Sequence, residues 1–232
     1  CNNLGNLLTG KYFFEDAETI FKNGVSSAQI AGRQDLAVYN YSNLAANLEL
    51  RREDEKAIEY NNEAMKLLEE VNDGFSKTQI LVKIGNTYKG MVNRAPEKVQ
   101  ANKRIKLAGN AYRKAIDILM GDKNGRGLSY VLGYMAELYE MEGRLEEAHK
   151  LAKDAMVISR NNDVKDALYR WQWMIGRLNW RQNEIGRAIQ SYENAILTIQ
   201  GVKQDLATVY GSIHSHHSFR DRVGRIYYEY AN

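Results

Sequence analysis

The chain has 232 residues, of which 44% are hydrophobic and 26% are charged, and this composition excludes an intrinsically disordered protein. Its formal net charge of +3 comes from interleaved acidic and basic residues, so charge alone demands neither a nucleic-acid nor a membrane partner. Only one residue is proline, which favours an all-α fold because proline disrupts helix interiors.

The first residue, Cys1, is the only cysteine and stands directly before the helical pattern NNLGNLL. A lone cysteine excludes a disulfide framework and agrees with a reducing, cytoplasmic location. Cys1 is either the start of a mature lipoprotein or a fragment boundary, and the absence of a tether before the helix favours the boundary. No apolar run approaches the roughly 20 residues of a membrane helix, so we expect no membrane association.

A small residue beside a large apolar one recurs along the chain. The five sites are Leu4-Gly5, Leu44-Ala45, Ile84-Gly85, Met135-Ala136 and Ile175-Gly176. Neighbouring small residues are 40 residues apart, except for a spacing of 51 between the third and the fourth. In four of the five repeats an alanine follows the small residue after 12 residues. The pattern predicts two helices per repeat, with the small residue of the first helix at a close crossing.

This pattern resembles the tetratricopeptide repeat (TPR), in its long-helix variety. The match is strongest in the fourth repeat, MAELYEMEGRLEEAHKLAKDAM, and the fifth, IGRLNWRQNEIGRAIQSYENAI. The resemblance implies an all-α fold, a right-handed α-α superhelix (TPR solenoid) of about five helix pairs plus terminal helices. We expect five TPR-like pairs over 1–200, then an additional helix and a truncated C-terminal helix over 201–232.

The third repeat departs from the rule because its alanine-aromatic-alanine set, Ala108, Tyr112 and Ala115, comes eleven residues late. Eleven residues make about three helical turns, so the packing faces can stay in phase. Pro96 predicts that one helix ends near residue 94 or 95 and that the next begins at Pro96. We interpret the insertion near 91–102 as a lengthened hairpin tip, with a dedicated contact arm as the alternative.

The segment from Tyr192 to the end resembles the junction in bacterial CHAT proteins, where TPR repeats lead into a caspase-like protease domain. The residues that carry this resemblance are Tyr192, Ala195, Ile196, Asp205-Leu206, Ser218-Phe219-Arg220, Tyr227 and Ala231. The resemblance implies that the chain is the recognition or regulatory arm of a larger bacterial protein. The protease domain would lie downstream, so no catalytic residue is carried over to this chain.

The fifth repeat contains YRWQWMIGRLNWR, which places Trp173, Arg177 and Trp180 at i, i+4 and i+7 of one helix. Tryptophan and arginine often dominate binding energy, and a guanidinium stacked on an indole can grip a carboxylate. We therefore predict a concave groove on the first helices that binds a protein or peptide, acidic or through its C-terminal carboxylate. The alternative is that Trp171 and one of the other tryptophans are core residues between helices and that the arginines are merely solvated. The predicted partner-binding residues are Asn43, Lys83, Asn86, Tyr134, Glu137, Arg170, Trp173, Arg177, Trp180 and Arg181.

The leading hypothesis is thus a protein-interaction scaffold, not an enzyme, with no catalytic residue, metal or cofactor. A helical-repeat nucleic-acid-binding module is the alternative, but Glu49, Glu137 and Glu140 interrupt the basic stripe that it would need. The HSHH segment at 214–217 suggests a metal site, yet a solvated loop is the simpler interpretation. We interpret the carboxylates at 53–55 as the start of a helix, where negative charge interacts favourably with the helix dipole. Open helix faces at both ends also leave room for end-to-end self-association.

Overall fold

The computed structural model describes residues 2–72 and 74–210, which form ten α-helices and no strand. The all-α class is therefore confirmed over the part of the chain that the structure describes. The helices are α1 (Asn2–Gly10), α2 (Phe14–Ile30), α3 (Gln34–Leu50), α4 (Asp54–Leu67), α5 (Phe75–Gly90), α6 (Lys98–Gly121), α7 (Gly125–Met141), α8 (Leu145–Asn161), α9 (Lys165–Arg181) and α10 (Ile185–Tyr210). They form five hairpins, whose first helices are α1, α3, α5, α7 and α9.

The chain divides into two compact units. Unit 1 (Cys1–Asp122) contains α1 to α6, and unit 2 (Lys123–Asn232) contains α7 to α10. In unit 1 the first helix α3 contacts both α1 and α5, and in unit 2 α7 contacts α9. The first helices of each unit therefore form a continuous surface beside the layer of second helices.

The small residue of each first helix matches the size of the residue that it meets on the second helix. Three repeats pair glycine with an aromatic ring, and a Cβ atom on any of these glycines would overlap that ring. The pairs are Gly5–Phe21, Gly85–Tyr112 and Gly176–Tyr192. The other two repeats have alanine instead, Ala45 and Ala136, and their second helices carry Asn61 and Ala152 at the matching position. The two helices of each repeat can thus cross closely, because one or both side chains at the contact are small.

Short turns between the helices use backbone in the left-handed region. Gly32 and Gly143 have φ of +64° and +78°, where glycine has no steric penalty. Asp163 and Asn183 adopt φ of +51° and +62° at the equivalent places, which short polar side chains tolerate. Each such residue ends one helix and redirects the chain into the next.

The connection between α5 and α6 is held by a buried ion network. A short 3₁₀ turn covers Val92–Arg94, and α6 begins at Lys98 rather than at Pro96. Arg94 Nη2 lies 2.9 Å from Asp54 Oδ1, and Arg104 Nη1 lies 3.0 Å from Asp54 Oδ2. Arg104 and Asp54 are only 5% and 6% exposed. Because breaking a buried ion pair leaves an uncompensated charge, the network fixes this irregular connection against the start of α4.

Helix α10 differs from the sequence-based expectation at its C-terminal end. It continues without a break to Tyr210, through the segment 201–210 that was expected to form a separate helix. A single glycine costs only about 1 kcal/mol relative to alanine in a helix interior, so Gly201 between good helix formers does not end it. The expected truncated C-terminal helix lies outside the described residues.

Candidate functional site

The first helices of unit 1 carry a row of connected polar side chains. Asn43 Nδ2 donates to Asn2 Oδ1 at 3.0 Å, and Lys83 Nζ donates to Asn43 Oδ1. Lys83 Nζ also lies 5.4 Å from the centre of the Tyr39 ring. Because Asn2, Asn43 and Lys83 come from α1, α3 and α5, this unit 1 polar row runs across all three first helices.

Lys83 is a cation with little compensation. Its side chain is half-buried, and burial lowers its pKa from 10.5 to about 8. Among the described residues, its contacts are the Asn43 amide and the Tyr39 ring, and no carboxylate forms an ion pair with it. A partly buried ammonium without a counter-charge favours an anion that can approach it.

Asn86, the third predicted binding residue of unit 1, makes a separate contact through its side-chain oxygen. The Tyr112 hydroxyl donates to Asn86 Oδ1 at 2.7 Å, within the third repeat. Asn86 therefore helps to position a core tyrosine of α6, and only Asn43 and Lys83 of the three predicted unit 1 residues contact each other.

Unit 2 contains a cluster of aromatic rings around Arg170. Its guanidinium carbon lies 5.7, 5.6 and 5.4 Å from the ring centres of Tyr130, Tyr134 and Trp171. Burial opposes the charge of Arg170, but nearby Tyr134 and Glu137 outweigh that cost and raise its pKa. This Arg170 cluster thus brings together the predicted residues Tyr134, Glu137 and Arg170.

Trp171 is a core residue, as the alternative interpretation of the tryptophans predicts for it. It is 1% exposed, and its indole Nε1 donates to Ser129 Oγ at 3.1 Å. A Cβ atom on Gly133 would overlap the Trp171 ring, so α7 and α9 cross closely at this point. The sequence alone did not show that Gly133 accommodates this ring.

A second cluster in unit 2 consists of Trp173, Arg177, Arg181 and Glu140, and we name it the Glu140 cluster. Arg177 lies with its guanidinium carbon 4.7 Å from the centre of the Trp173 ring. Its Nη2 is 2.9 Å from Glu140 Oε2, and Arg181 Nη1 is 3.7 Å from Glu140 Oε1. Glu140 interrupts the basic stripe in the sequence, and in the structure its carboxylate contacts both arginines.

Of the three tryptophans, Trp180 is the exposed one. Its side chain is 48% exposed, next to Arg181, whose side chain is 45% exposed. A large exposed aromatic group beside an arginine has the composition of a binding hot spot.

The second helices of unit 1 leave a separate cavity of about 380 Å³. The Tyr88 hydroxyl donates to Asn62 Oδ1 at 2.9 Å in its wall, and Lys114 pairs with Glu69 at 2.5 Å beside it. The wall of the cavity contains none of the predicted site residues. It is lined by Asn62, Met65, Tyr88, Leu107, Asn110, Arg113, Lys114 and Asp117.

Within the described residues, no group of three or more His, Cys, Asp or Glu side chains could hold a metal ion. Cys1 and the histidines of the HSHH segment lie outside the described residues. A search of the helices that the structure describes finds none with the length and apolar character to cross a membrane.

Repeated helix hairpins with close small-residue crossings place this chain in the class of α-helical repeat proteins. No protein-family model matches the chain, and no curated protein matches it either. Solved structures do match. BtubC (BKLC) from P. vanneervenii has a TM-score of 0.64 and 16% identity, over 81% of this chain and 74% of that one.

Two further structures share the fold. A variant of a Podosopora anserina putative kinesin light chain with nearly identical TPR-like repeats has a TM-score of 0.70 and 12% identity, over 88% of this chain and 94% of that one. Aspartyl phosphate phosphatase F from Bacillus subtilis has a TM-score of 0.66 and 12% identity, over 86% of this chain and 49% of that one. These similarities confirm the TPR-type solenoid fold.

Proposed function

We propose that the chain is a protein-interaction scaffold whose first-helix surface binds a peptide or a partner protein through carboxylate groups. Extended surfaces formed by stacked repeats are the usual binding surfaces of helical-repeat folds. The two units present different groups to a partner. Unit 1 offers the uncompensated ammonium of Lys83, and unit 2 offers the exposed Trp180.

Lys83 is the observation that carries this proposal. An incoming carboxylate supplies the counter-charge that Lys83 lacks among the described residues, and the Asn43 amide already fixes the direction of the ammonium. Hydrogen bonds to charged groups contribute about 1.5–3 kcal/mol each, so this contact is worth roughly a tenfold or larger gain in affinity. The partner is therefore expected to present an acidic side chain or a C-terminal carboxylate.

Fluorescence anisotropy tests the proposal with two fluorescein-labelled peptides of one acidic sequence, one ending in a free carboxylate and the other in an amide. We expect the chain to bind the acidic peptide and the Lys83→Gln variant to bind it at least about tenfold more weakly. Lys103→Gln removes an exposed lysine of the same unit and is the matched control. Equal binding by both variants and the unchanged chain, or no binding at all, would refute the proposal.

A labelled single-stranded oligonucleotide in the same assay tests the nucleic-acid alternative. Binding to the oligonucleotide that falls steeply with salt, without binding to the acidic peptide, would favour that alternative. The internal pairing of Arg177 and Arg181 with Glu140 argues against it, because it neutralises part of the basic stripe.

The resemblance to CHAT proteins supports a second part of the proposal, that the chain is the recognition arm of a caspase-like protease. Of the residues that carry the resemblance, Tyr192 faces Gly176, and Ala195 is fully buried in the same hairpin. The coding sequence that follows Asn232 tests this part directly. A caspase-like His and Cys in the same reading frame would support it, and a stop codon would refute it.

A further inference from the structure

Glu140 lies between two arginines in unit 2. Its Oε2 is 2.9 Å from Arg177 Nη2, and its Oε1 is 3.4 Å from Arg177 Nε. Arg181 Nη1 approaches the same carboxylate at 3.7 Å and the Glu140 main-chain oxygen at 3.4 Å. One carboxylate therefore receives two guanidinium groups, and the Glu140 cluster keeps one positive charge in excess.

The geometry around Arg177 is that of a built carboxylate site. The guanidinium carbon lies over the Trp173 ring, 4.7 Å from its centre, while Nε and Nη2 both reach the carboxylate, so contacts on two sides hold the guanidinium in place. A guanidinium held in this way binds a carboxylate through two N–H groups with little loss of side-chain freedom.

We propose that Trp173, Arg177 and Arg181 form a carboxylate-binding site that the chain fills with its own Glu140. An acidic side chain or the C-terminal carboxylate of the partner would bind there by displacing Glu140. This inference rests on the proposed function, and it adds that the unit 2 site is closed until a partner opens it.

The surroundings make such an exchange feasible. Glu140 stands in the last turn of α7, which ends at Met141, and its side chain can leave the site by rotating about its own bonds. Arg181 and Trp180 are about half exposed, so an incoming carboxylate meets them first. The exchange of one carboxylate for another gains little by itself, so a partner must also contact groups such as Trp180. By competing for the two arginines, Glu140 therefore prevents weak acidic ligands from binding at this site.

Chemical rescue with succinate tests the site independently of any partner. Glu140→Ala removes the carboxylate that both arginines contact, and we expect added succinate to raise the melting temperature of this variant by a few degrees more than that of the unchanged chain. Sodium chloride at equal ionic strength controls for general salt effects. Glu142→Ala, which removes a neighbouring carboxylate, should behave like the unchanged chain. Equal succinate effects on all three chains would overturn the inference.

The labelled acidic peptide then tests whether Glu140 competes with a ligand. Glu140→Gln keeps the shape of the side chain and removes its charge, and we expect it to bind the peptide about tenfold more tightly than the unchanged chain. The added change Arg177→Gln should abolish this gain, and Glu142→Gln should produce none. A Glu140→Gln affinity no higher than that of Glu142→Gln would overturn the proposed competition.

The two readouts separate the two proposals. Succinate rescue without peptide binding by any chain would leave the carboxylate site in place and refute the proposed function. Peptide binding that depends on Lys83, without succinate rescue and without a gain in Glu140→Gln, would support the proposed function and refute the inference about Glu140.

Discussion

Gly85 and Tyr112 pack against each other so closely that a methyl group on Gly85 would overlap the tyrosine ring. Tyr112 is fully buried, and its hydroxyl donates to Asn86 at 2.7 Å. The contact reproduces the glycine–aromatic contacts of the first and fifth repeats, although the second helix of this repeat is shifted by eleven residues. Eleven residues make about three helical turns, so the shift leaves the packing face in register.

Gly85→Ala is expected to destabilise the chain. Overpacking a rigid core costs about 1–3 kcal/mol, whereas alanine recovers about 1 kcal/mol of helix propensity, so we expect a net loss of up to about 2 kcal/mol in the free energy of unfolding. Urea denaturation followed by circular dichroism measures this loss. Gly186→Ala is the control, because a Cβ at Gly186 in α10 meets no atom within 4 Å.

The partner of Gly85 in this contact can be identified with a double variant. If the ring is the obstacle, Gly85→Ala combined with Tyr112→Leu will cost less than the two single changes added together. Strict additivity, or a Gly85→Ala chain as stable as the unchanged one, would contradict the close-contact account.

Asn61→Leu is expected to stabilise the chain. Asn61 is 0% exposed, and neither of its amide atoms has a hydrogen-bond partner among the described residues. An unsatisfied buried polar group costs about 1–3 kcal/mol, so leucine of similar size should raise the free energy of unfolding by about that amount. Asn47→Leu is the matched control and should destabilise, because Asn47 is equally buried but bonds Phe14 and Thr9. A less stable Asn61→Leu variant would contradict this prediction.

Most of the fold could be predicted because its determinants are periodic. The 40-residue spacing and the small residues at close crossings define five hairpins without any knowledge of long-range contacts. The buried network around Asp54 could not be predicted, because the sequence suggested only a favourable helix start. Its partner Arg104 comes 50 residues later, and the pairing depends on how the irregular connection folds back.

For the candidate site, the sequence predicted the residue types but not their partners. Arg177 and Trp173 were expected to stack because they lie four residues apart on one helix, and the structure confirms that contact. The partner that neutralises Arg177 comes from α7, 37 residues earlier in the chain. The register between α7 and α9 decides which carboxylate reaches Arg177. The role of these residues in partner binding stays a prediction.

The stability of the chain is expected to depend on pH through Lys83. Burial lowers the pKa of Lys83 from 10.5 to about 8, so between those values the unfolded chain binds more protons than the folded one. The free energy of unfolding should therefore rise with pH across this window, by up to about 3 kcal/mol, and the Lys83→Gln variant should lack that rise. Urea denaturation at pH values of about 7.5, 8.5 and 9.5 measures the difference, with the exposed Lys103→Gln as control for the loss of one charge. If Lys83→Gln and Lys103→Gln respond to pH alike, the ammonium of Lys83 is not held in a desolvated position, and the argument for an anion at this lysine loses its basis.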